Sequence, residues 1–148
     1  MSLMGLNNLY REVILDHSQN PHHKHALPQA TSKTTLKNPT CGDVINLELE
    51  IKDDKIIDAG FSGEGCTISQ ASASMMTDAI IGKTTTQGLE IAHIFSDMVM
   101  GKQHSDSDLK KLGDAAILSS VMQFPARIKC ATLSWWALRK SLGEEVDD

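Results

Sequence analysis

Three cysteines and one aspartate are the residues whose side chains could do chemistry together: Cys41, Asp43, Cys66 and Cys130. Thiolates and a carboxylate are ligands that suit a tetrahedral zinc site or an iron site. The cysteines lie far apart in the sequence, unlike the close C-x-x-C pairs of zinc ribbons. The spacing alone therefore leaves a second interpretation open, in which three reduced cysteines are buried as small apolar side chains.

Two strand patterns indicate how these residues could meet. Apolar and polar residues alternate over 44–51 and again over 57–61, which predicts an antiparallel hairpin. One buried face would carry Ile45, Leu47, Leu49, Ile51, Ile57, Ala59 and Phe61. Placing both sets on that face pairs Leu49 with Ala59 and leaves a three-residue loop from Asp53 to Lys55. The same register, continued, puts Gly42 opposite Cys66, so the hairpin brings Cys41 and Asp43 close to Cys66.

Helical patterns surround this hairpin. Apolar residues recur at intervals of three and four over 6–19, 69–81, 89–99, 109–119 and 125–142, and Gly113 weakens the fourth of these segments. Cys66 then lies just ahead of a helix and Cys130 in the first turn of another, where unpaired amides favour negative charge. The predicted fold class is α+β, a small antiparallel β-sheet with helices packed on one face.

Length and composition narrow the class of protein. A chain of 148 residues with 41% apolar and 22% charged residues predicts one folded domain over 1–148. We expect the native start at Met4 and leave residues 1–3 out of the functional reasoning. The formal charge of -5 argues against nucleic acid as a partner, and no apolar stretch of about 20 residues predicts a membrane span. An odd number of cysteines without a secretory signal predicts a cytoplasmic protein.

Histidines cluster in His22-His23-Lys24-His25, between Pro21 and Pro28. Three histidines so close together could bind a metal ion. The segment has no periodicity that would fix their geometry, however, so a solvated loop is the favoured prediction.

Three motifs carry a resemblance to a known family. They are Asn38-Pro39-Thr40-Cys41-Gly42-Asp43, then Gly63-Glu64-Gly65-Cys66-Thr67-Ile68-Ser69, then residues 124–135 from Phe124-Pro125 through Lys129-Cys130 to Ser134-Trp135. They resemble the three cysteine motifs of the iron-sulfur assembly proteins, in the SufU branch of the IscU and NifU N-terminal family. Tyr10, Asp16-His17, Asn20-Pro21 and residues 72–76 also resemble that branch, so the similarity covers nearly the whole chain.

The resemblance implies a function and a set of site residues. SufU-type proteins are zinc-bound sulfurtransferases that accept persulfide sulfur from a cysteine desulfurase of the SufS type for iron-sulfur cluster assembly. The family's zinc ligands map onto Cys41, Asp43, Cys66 and Cys130, and its persulfide acceptor maps onto Cys41. Other SUF assembly components are further implied partners.

Two features separate the sequence from the IscU branch. The first is Lys129, which stands where the members of that branch carry a histidine. The segment between Cys66 and Cys130 is also longer than theirs. The histidine stretch at 22–25 departs from the Arg-Asn usual in the family, so a basic partner contact there is not implied. Arg127 and Lys129 could stabilise a persulfide anion or meet an acidic partner, and a solvated role is an equal alternative.

Two competing functions stay open. One is a non-enzymatic scaffold on which a [2Fe-2S] cluster is assembled on the same thiolates, with iron or the cluster bound transiently in place of zinc. The other is a zinc-stabilised structural domain without turnover. Lys129 favours the sulfur acceptor over the scaffold, because a protonated lysine cannot bind a metal ion as a neutral imidazole does.

Overall fold

The computed structural model describes residues 8–39, 42–102 and 104–144, except the side chains of Asn8 and Met122. Within these ranges the chain forms three β-strands, five α-helices and a 3₁₀ helix. In chain order they are α1 (Asn8–Gln19), β1 (Ser32–Asn38), β2 (Asp43–Lys52), β3 (Lys55–Glu64), α2 (Thr67–Ile80), α3 (Thr85–Val99), α4 (Asp106–Lys111), the 3₁₀ helix (Gly113–Gln123) and α5 (Pro125–Ser141). None of the helices in these ranges has the length and apolar character that crossing a membrane requires.

The three strands form one antiparallel sheet in the order β1-β2-β3. Helix α5 packs across β1 and β2, while α2 and α3 contact β3. Fully buried side chains from the sheet and the helices share one core, which includes Leu47 and Phe61 from the strands and Phe95 and Trp135 from the helices. The predicted α+β class, a small antiparallel sheet with packed helices, is confirmed.

The predicted register of the hairpin is confirmed over most of its length. Leu49 lies opposite Ala59, and the same register continues to Val44 opposite Glu64. The three-residue loop is wrong, because Lys52 pairs with Lys55 across a two-residue turn. Both turn residues, Asp53 and Asp54, have positive φ (53° and 61°), as a type I′ turn requires.

A β-bulge accounts for the difference at the turn. The pairing shifts by one residue between Glu50 and Ile51, so that Ile51 lies opposite Ile56 and Ile57 is the extra residue. The expectation that Ile57 lies on the buried face is therefore wrong: its side chain is 45% exposed, and Ile56 is buried in its place.

Strand β1 was not predicted from the pattern of the sequence. It is an edge strand with mostly polar residues, of which only Leu36 and Asn38 are buried. It pairs with β2 up to Asn38 opposite Asp43. This pairing matters for the site, because the connection between those two residues contains Cys41, which lies outside the described residues.

The helix predictions are confirmed with one exception over the described residues, and positions 6 and 7 of the first predicted helix lie outside them. Helix α2 begins after Cys66 as its N-cap and ends before Gly82, whose φ of +87° suits a helix stop. The segment predicted as one short helix over 109–119 is wrong in detail. Helix α4 ends at Lys111, and the 3₁₀ helix begins at Gly113, whose φ is +57°.

The histidine segment forms a loop, as predicted, but it is not simply solvated. The His23 carbonyl accepts a hydrogen bond from Phe61 N (3.0 Å) at the free edge of β3. Lys24 Nζ donates to Gln70 Oε1 on α2 (2.8 Å), and His22 Nδ1 contacts the Asp78 carboxylate. The loop therefore covers the edge of the sheet and packs along α2.

Gly63 and Gly82 form a matched pair that tests how closely β2 approaches β3. Both have positive φ, but a Cβ at Gly63 would lie 2.0 Å from the Val44 carbonyl oxygen, whereas a Cβ at Gly82 meets nothing within 4 Å. We expect Gly63→Ala to lower the free energy of unfolding by about 3 kcal/mol or more, and Gly82→Ala by about 1 kcal/mol. Urea unfolding monitored by circular dichroism measures both. Equal losses would show that the approach of β2 to Gly63 does not limit that position.

Candidate metal centre

Three potential metal ligands from distant parts of the chain meet at one end of the sheet. One ligand atom each from Asp43, Cys66 and Cys130 lies within 4.8 Å of the others. Asp43 is the first residue of β2, Cys66 is the N-cap of α2, and Cys130 lies near the start of α5. Asp43 and Cys130 are buried and Cys66 is partly exposed, so the cluster reaches the surface on the Cys66 side.

The Asp43 carboxylate ties the start of β2 to the start of α2. Its Oδ1 accepts a hydrogen bond from the Cys66 backbone N (3.1 Å), one of the amides that an α-helix leaves without an internal partner. The intervening Gly65 has no room for a side chain, because a Cβ there would lie 2.9 Å from Asp43 Oδ1 and 2.7 Å from Ser69 Oγ. The glycine before the cysteine thus permits the contact between carboxylate and helix.

The packing of α5 on α2 positions Cys130. The Trp135 indole stacks on Phe95 with 4.2 Å between ring centroids and donates from Nε1 to Ser72 Oγ (2.9 Å). Ser72 Oγ in turn donates to the Ala131 carbonyl (2.6 Å), next to Cys130. All these groups are buried, so the network holds the first turns of α5 in a fixed place relative to α2.

The thiol of Cys66 is not used to cap its own helix. Cys66 has an extended backbone, with φ −71° and ψ 172°, and its side chain makes no cap hydrogen bond. The Sγ atom is therefore available to a ligand at the positive end of α2, where negative charge is stabilised.

The donor set fits a zinc ion. Asp43 Oδ2 is buried and has no hydrogen-bond partner among the described residues, and burying a carboxylate oxygen in this way is costly unless a charge or donor meets it. A divalent cation beside two thiols supplies that partner. Ser134 Oγ, one helical turn after Cys130, is also buried without a described hydrogen-bond partner.

The structure brings together three of the four residues predicted as ligands. Asp43, Cys66 and Cys130 are clustered, while the fourth, Cys41, lies outside the described residues, so its place in the site stays a prediction. Lys129 is exposed although the next residue, Cys130, is fully buried, and Arg127 is partly buried.

The burial of polar residues inside α2 was not predicted from the sequence pattern. Ser69, Ser72, Ser74 and Thr77 are all buried, and Ser74 bonds the buried His17 of α1 (2.7 Å between Oγ and Nδ1). A helical pattern of apolar residues predicts which apolar side chains are buried, but it does not predict that small hydroxyl side chains are buried with them. Asp16-His17, Ser69 and residues 72–76 carried the family resemblance, with no structural role predicted for their polar side chains.

Gly65→Ala tests the contact between Asp43 and Cys66. The added methyl group has to push the carboxylate or Ser69 aside, so we expect zinc affinity to fall about tenfold or more while the fold is kept. Competition with a zinc-binding dye measures the affinity, with Gly82→Ala as the control for a glycine that has open space around it. Unchanged affinity would show that the Asp43 carboxylate is not needed where it lies.

Comparisons with known proteins agree with this geometry. The family model described as the NifU-like N terminal domain matches residues 9–131. The zinc-dependent sulfurtransferase SufU of Bacillus subtilis is 51% identical over 141 residues, which cover 95% of this chain and 94% of the relative. The iron-sulfur cluster assembly scaffold protein IscU of Streptococcus pyogenes is 50% identical over 142 residues, which cover 96% of this chain and 87% of the relative.

A solved structure extends the comparison to the fold. A candidate iron-sulfur cluster assembly scaffold protein for the SUF system from Fervidobacterium islandicum superposes with a TM-score of 0.85 at 33% identity, covering 96% of this chain and 99% of that protein. The match of the family model, the two relatives and the shared fold together show that this chain belongs to the NifU-like N-terminal domain family.

Proposed function

We propose that this chain works in iron-sulfur cluster assembly as a zinc-dependent sulfurtransferase, which accepts persulfide sulfur from a cysteine desulfurase of the SufS type. The observation that carries the proposal is the meeting of Asp43, Cys66 and Cys130 around a buried carboxylate oxygen without a described hydrogen-bond partner. The name and the 51% identity of the Bacillus subtilis relative support the choice of zinc and of sulfur transfer.

Cys41 is the proposed fourth ligand and the sulfur acceptor. It is two residues from Asp43, and two trans peptide units span at most about 7 Å between Cα atoms. Zinc held by Cys41, Asp43, Cys66 and Cys130 would keep the cysteines deprotonated at neutral pH and protect them from oxidation.

The transfer step is a thiol–disulfide type exchange. The Cys41 thiolate attacks the terminal sulfur of the desulfurase persulfide, the sulfur–sulfur bond of the desulfurase breaks, and the desulfurase cysteine leaves as a thiolate. Cys41 then carries the persulfide, so one sulfur–sulfur bond forms for the one that breaks and no external oxidant or reductant is needed.

The turn before β2 is the proposed moving part. An acceptor thiolate must leave its ligand position to attack, since coordination lowers its nucleophilicity. Gly42 has φ +77°, is exposed, and has open space where a side chain would lie. A change in its backbone angles upon docking of the desulfurase would carry Cys41 outward, while Asp43, held by the Cys66 amide, stays in place.

A second function is favoured by one relative. The 50% identical protein of Streptococcus pyogenes is named a scaffold, so assembly of a [2Fe-2S] cluster on the same thiolates is the alternative. The exposed Lys129, which cannot supply a neutral nitrogen ligand beside Cys130, supports the sulfur acceptor instead.

Metal analysis and visible absorption of protein purified without oxygen distinguish the two functions. We expect a colourless protein with one zinc per chain that stimulates a SufS-type desulfurase. A brown protein with stoichiometric iron and sulfide would support the scaffold instead. A colourless zinc protein without effect on a desulfurase that is active with another acceptor would leave only a structural role for the metal.

A further inference from the structure

A second group of potential metal ligands lies at the opposite end of α2 from the cysteines. One ligand atom each from His17, His22 and Asp78 lies within 4.8 Å of the others. We propose that these three side chains form a second metal site, which binds a divalent first-row transition cation. The inference does not depend on the proposed sulfur transfer, because it uses none of the cysteine ligands.

His17 is the rigid member of this group. Its side chain is buried and is held on both sides, with Nδ1 2.7 Å from Ser74 Oγ and Nε2 2.9 Å from Asp114 Oδ2. A histidine that binds a metal ion through one nitrogen usually donates its other ring N–H to a carboxylate, which fixes the ring and its tautomer. Asp114 supplies this carboxylate at Nε2, so Nδ1 is the nitrogen that would face a metal ion.

His22 is placed beside that nitrogen by the same serine. Its backbone N donates to Ser74 Oγ (2.8 Å), and its ring centroid lies 4.6 Å from that of His17. Its Nδ1 already contacts Asp78 Oδ2. The side chains of His22 and Asp78 are 46% and 38% exposed, so both can turn toward a metal ion without disturbing the core.

The three donor atoms need to approach one another only slightly to bind one metal ion. Two nitrogen or oxygen ligands of one ion lie at most about 4.2 Å apart, since each bond is about 2.1 Å long. The three donor atoms lie within 4.8 Å of one another, so the distances between them are at most slightly longer than those around a bound ion. A cation at His17 Nδ1 would replace the hydrogen bond to Ser74 Oγ.

The donors and their surroundings define the class of ion. Two imidazoles and one carboxylate, without sulfur, suit divalent iron, cobalt, nickel, copper or zinc and leave other positions to water. The half-exposed side chains of His22 and Asp78 give access from solvent, and Asp78 and Asp114 also line an open cleft of about 390 Å³. Lys83, Lys110 and Lys111 line the same cleft, so we expect weaker binding here than at the thiolates.

The two sites are separate. Asp78 follows Cys66 by twelve residues along the same helix, which corresponds to about 18 Å at 1.5 Å per residue. The cysteine cluster can therefore stay filled with zinc while the histidine site is titrated.

Cobalt(II) titration of the zinc-loaded protein, without a histidine tag, tests the proposal by calorimetry and absorption. We expect one further cobalt per chain with weak visible bands and without the strong near-ultraviolet absorption of cobalt thiolates. His22→Ala and Asp78→Asn should each weaken this binding about tenfold or more. His25→Ala, in the same loop, should not, since the His25 ring contacts the Ala26 carbonyl and is not one of the three clustered donors.

Two results would overturn the site. One is a wild-type titration that shows no cobalt beyond exchange into the thiolate site. The other is a further cobalt that binds equally well to the His22→Ala and Asp78→Asn variants. These two substitutions alter half-exposed side chains and spare the His22 backbone contact to Ser74, so loss of binding with unchanged thermal unfolding points to lost ligands.

Discussion

Cys41→Ala is expected to abolish sulfur acceptance completely while the chain still folds. The substitution removes the only proposed nucleophile; of the two described thiols, Cys130 is buried and Cys66 is the N-cap of α2. Asp43, Cys66 and Cys130 remain clustered in the variant, so zinc should bind more weakly with water at the vacant position. Mass spectrometry after mixing with desulfurase and cysteine detects the persulfide as the added mass of one sulfur atom.

A second variant separates the chemistry from the metal. Cys41→Ser keeps an oxygen at the position but cannot form a persulfide, and it should also fail as an acceptor. Zinc content and thermal unfolding are measured for both variants, so that a loss of acceptance is not confused with a loss of structure. Full acceptance by either variant would show that Cys41 is not the acceptor.

The hairpin shows why so much of the cluster could be predicted from sequence. Strict alternation of apolar residues sets the pairing of Leu49 with Ala59, because a slip by one residue would turn the apolar face to solvent. Extending that register brings Asp43 close to Cys66, and the structure has the Cys66 amide bonded to the Asp43 carboxylate.

Other features depend on interactions that a single segment does not reveal. Strand β1 is recognisable only as the partner of β2, since most of its residues are polar and only two are buried. The bulge at Ile57 follows from the two-residue turn, whose positive φ angles fall on aspartates instead of the usual glycine. The pattern of α2 alone does not reveal the role of Ser74, because its hydrogen-bond partner His17 lies on α1.

Asp43→Ala is expected to have the largest effect on how the metal is held. The carboxylate has two separate roles: Oδ1 accepts the Cys66 amide, and Oδ2 is the proposed zinc ligand. Removing both leaves the partly buried Cys66 amide without its charged acceptor, which costs about 1 to 3 kcal/mol of stability. Since loss of an outer contact commonly weakens metal binding 10- to 100-fold, loss of a ligand should speed zinc release to a chelator by about tenfold or more.

Asp43→Asn separates the two roles, because an amide oxygen can still accept from Cys66 N but lacks the charge that zinc favours. We expect Asn to restore most of the lost stability and little of the zinc retention. If Asp43 only anchors zinc, both variants should still accept sulfur; if it also controls the release of Cys41, acceptance should change while some zinc persists. Unchanged zinc release together with unchanged acceptance would remove Asp43 from the site. The fourth ligand would then have to come from water, a partner protein or a histidine. His17 and His22 are poor candidates, because both bond Ser74, which follows Cys66 by eight residues on α2, or about 12 Å at 1.5 Å per residue.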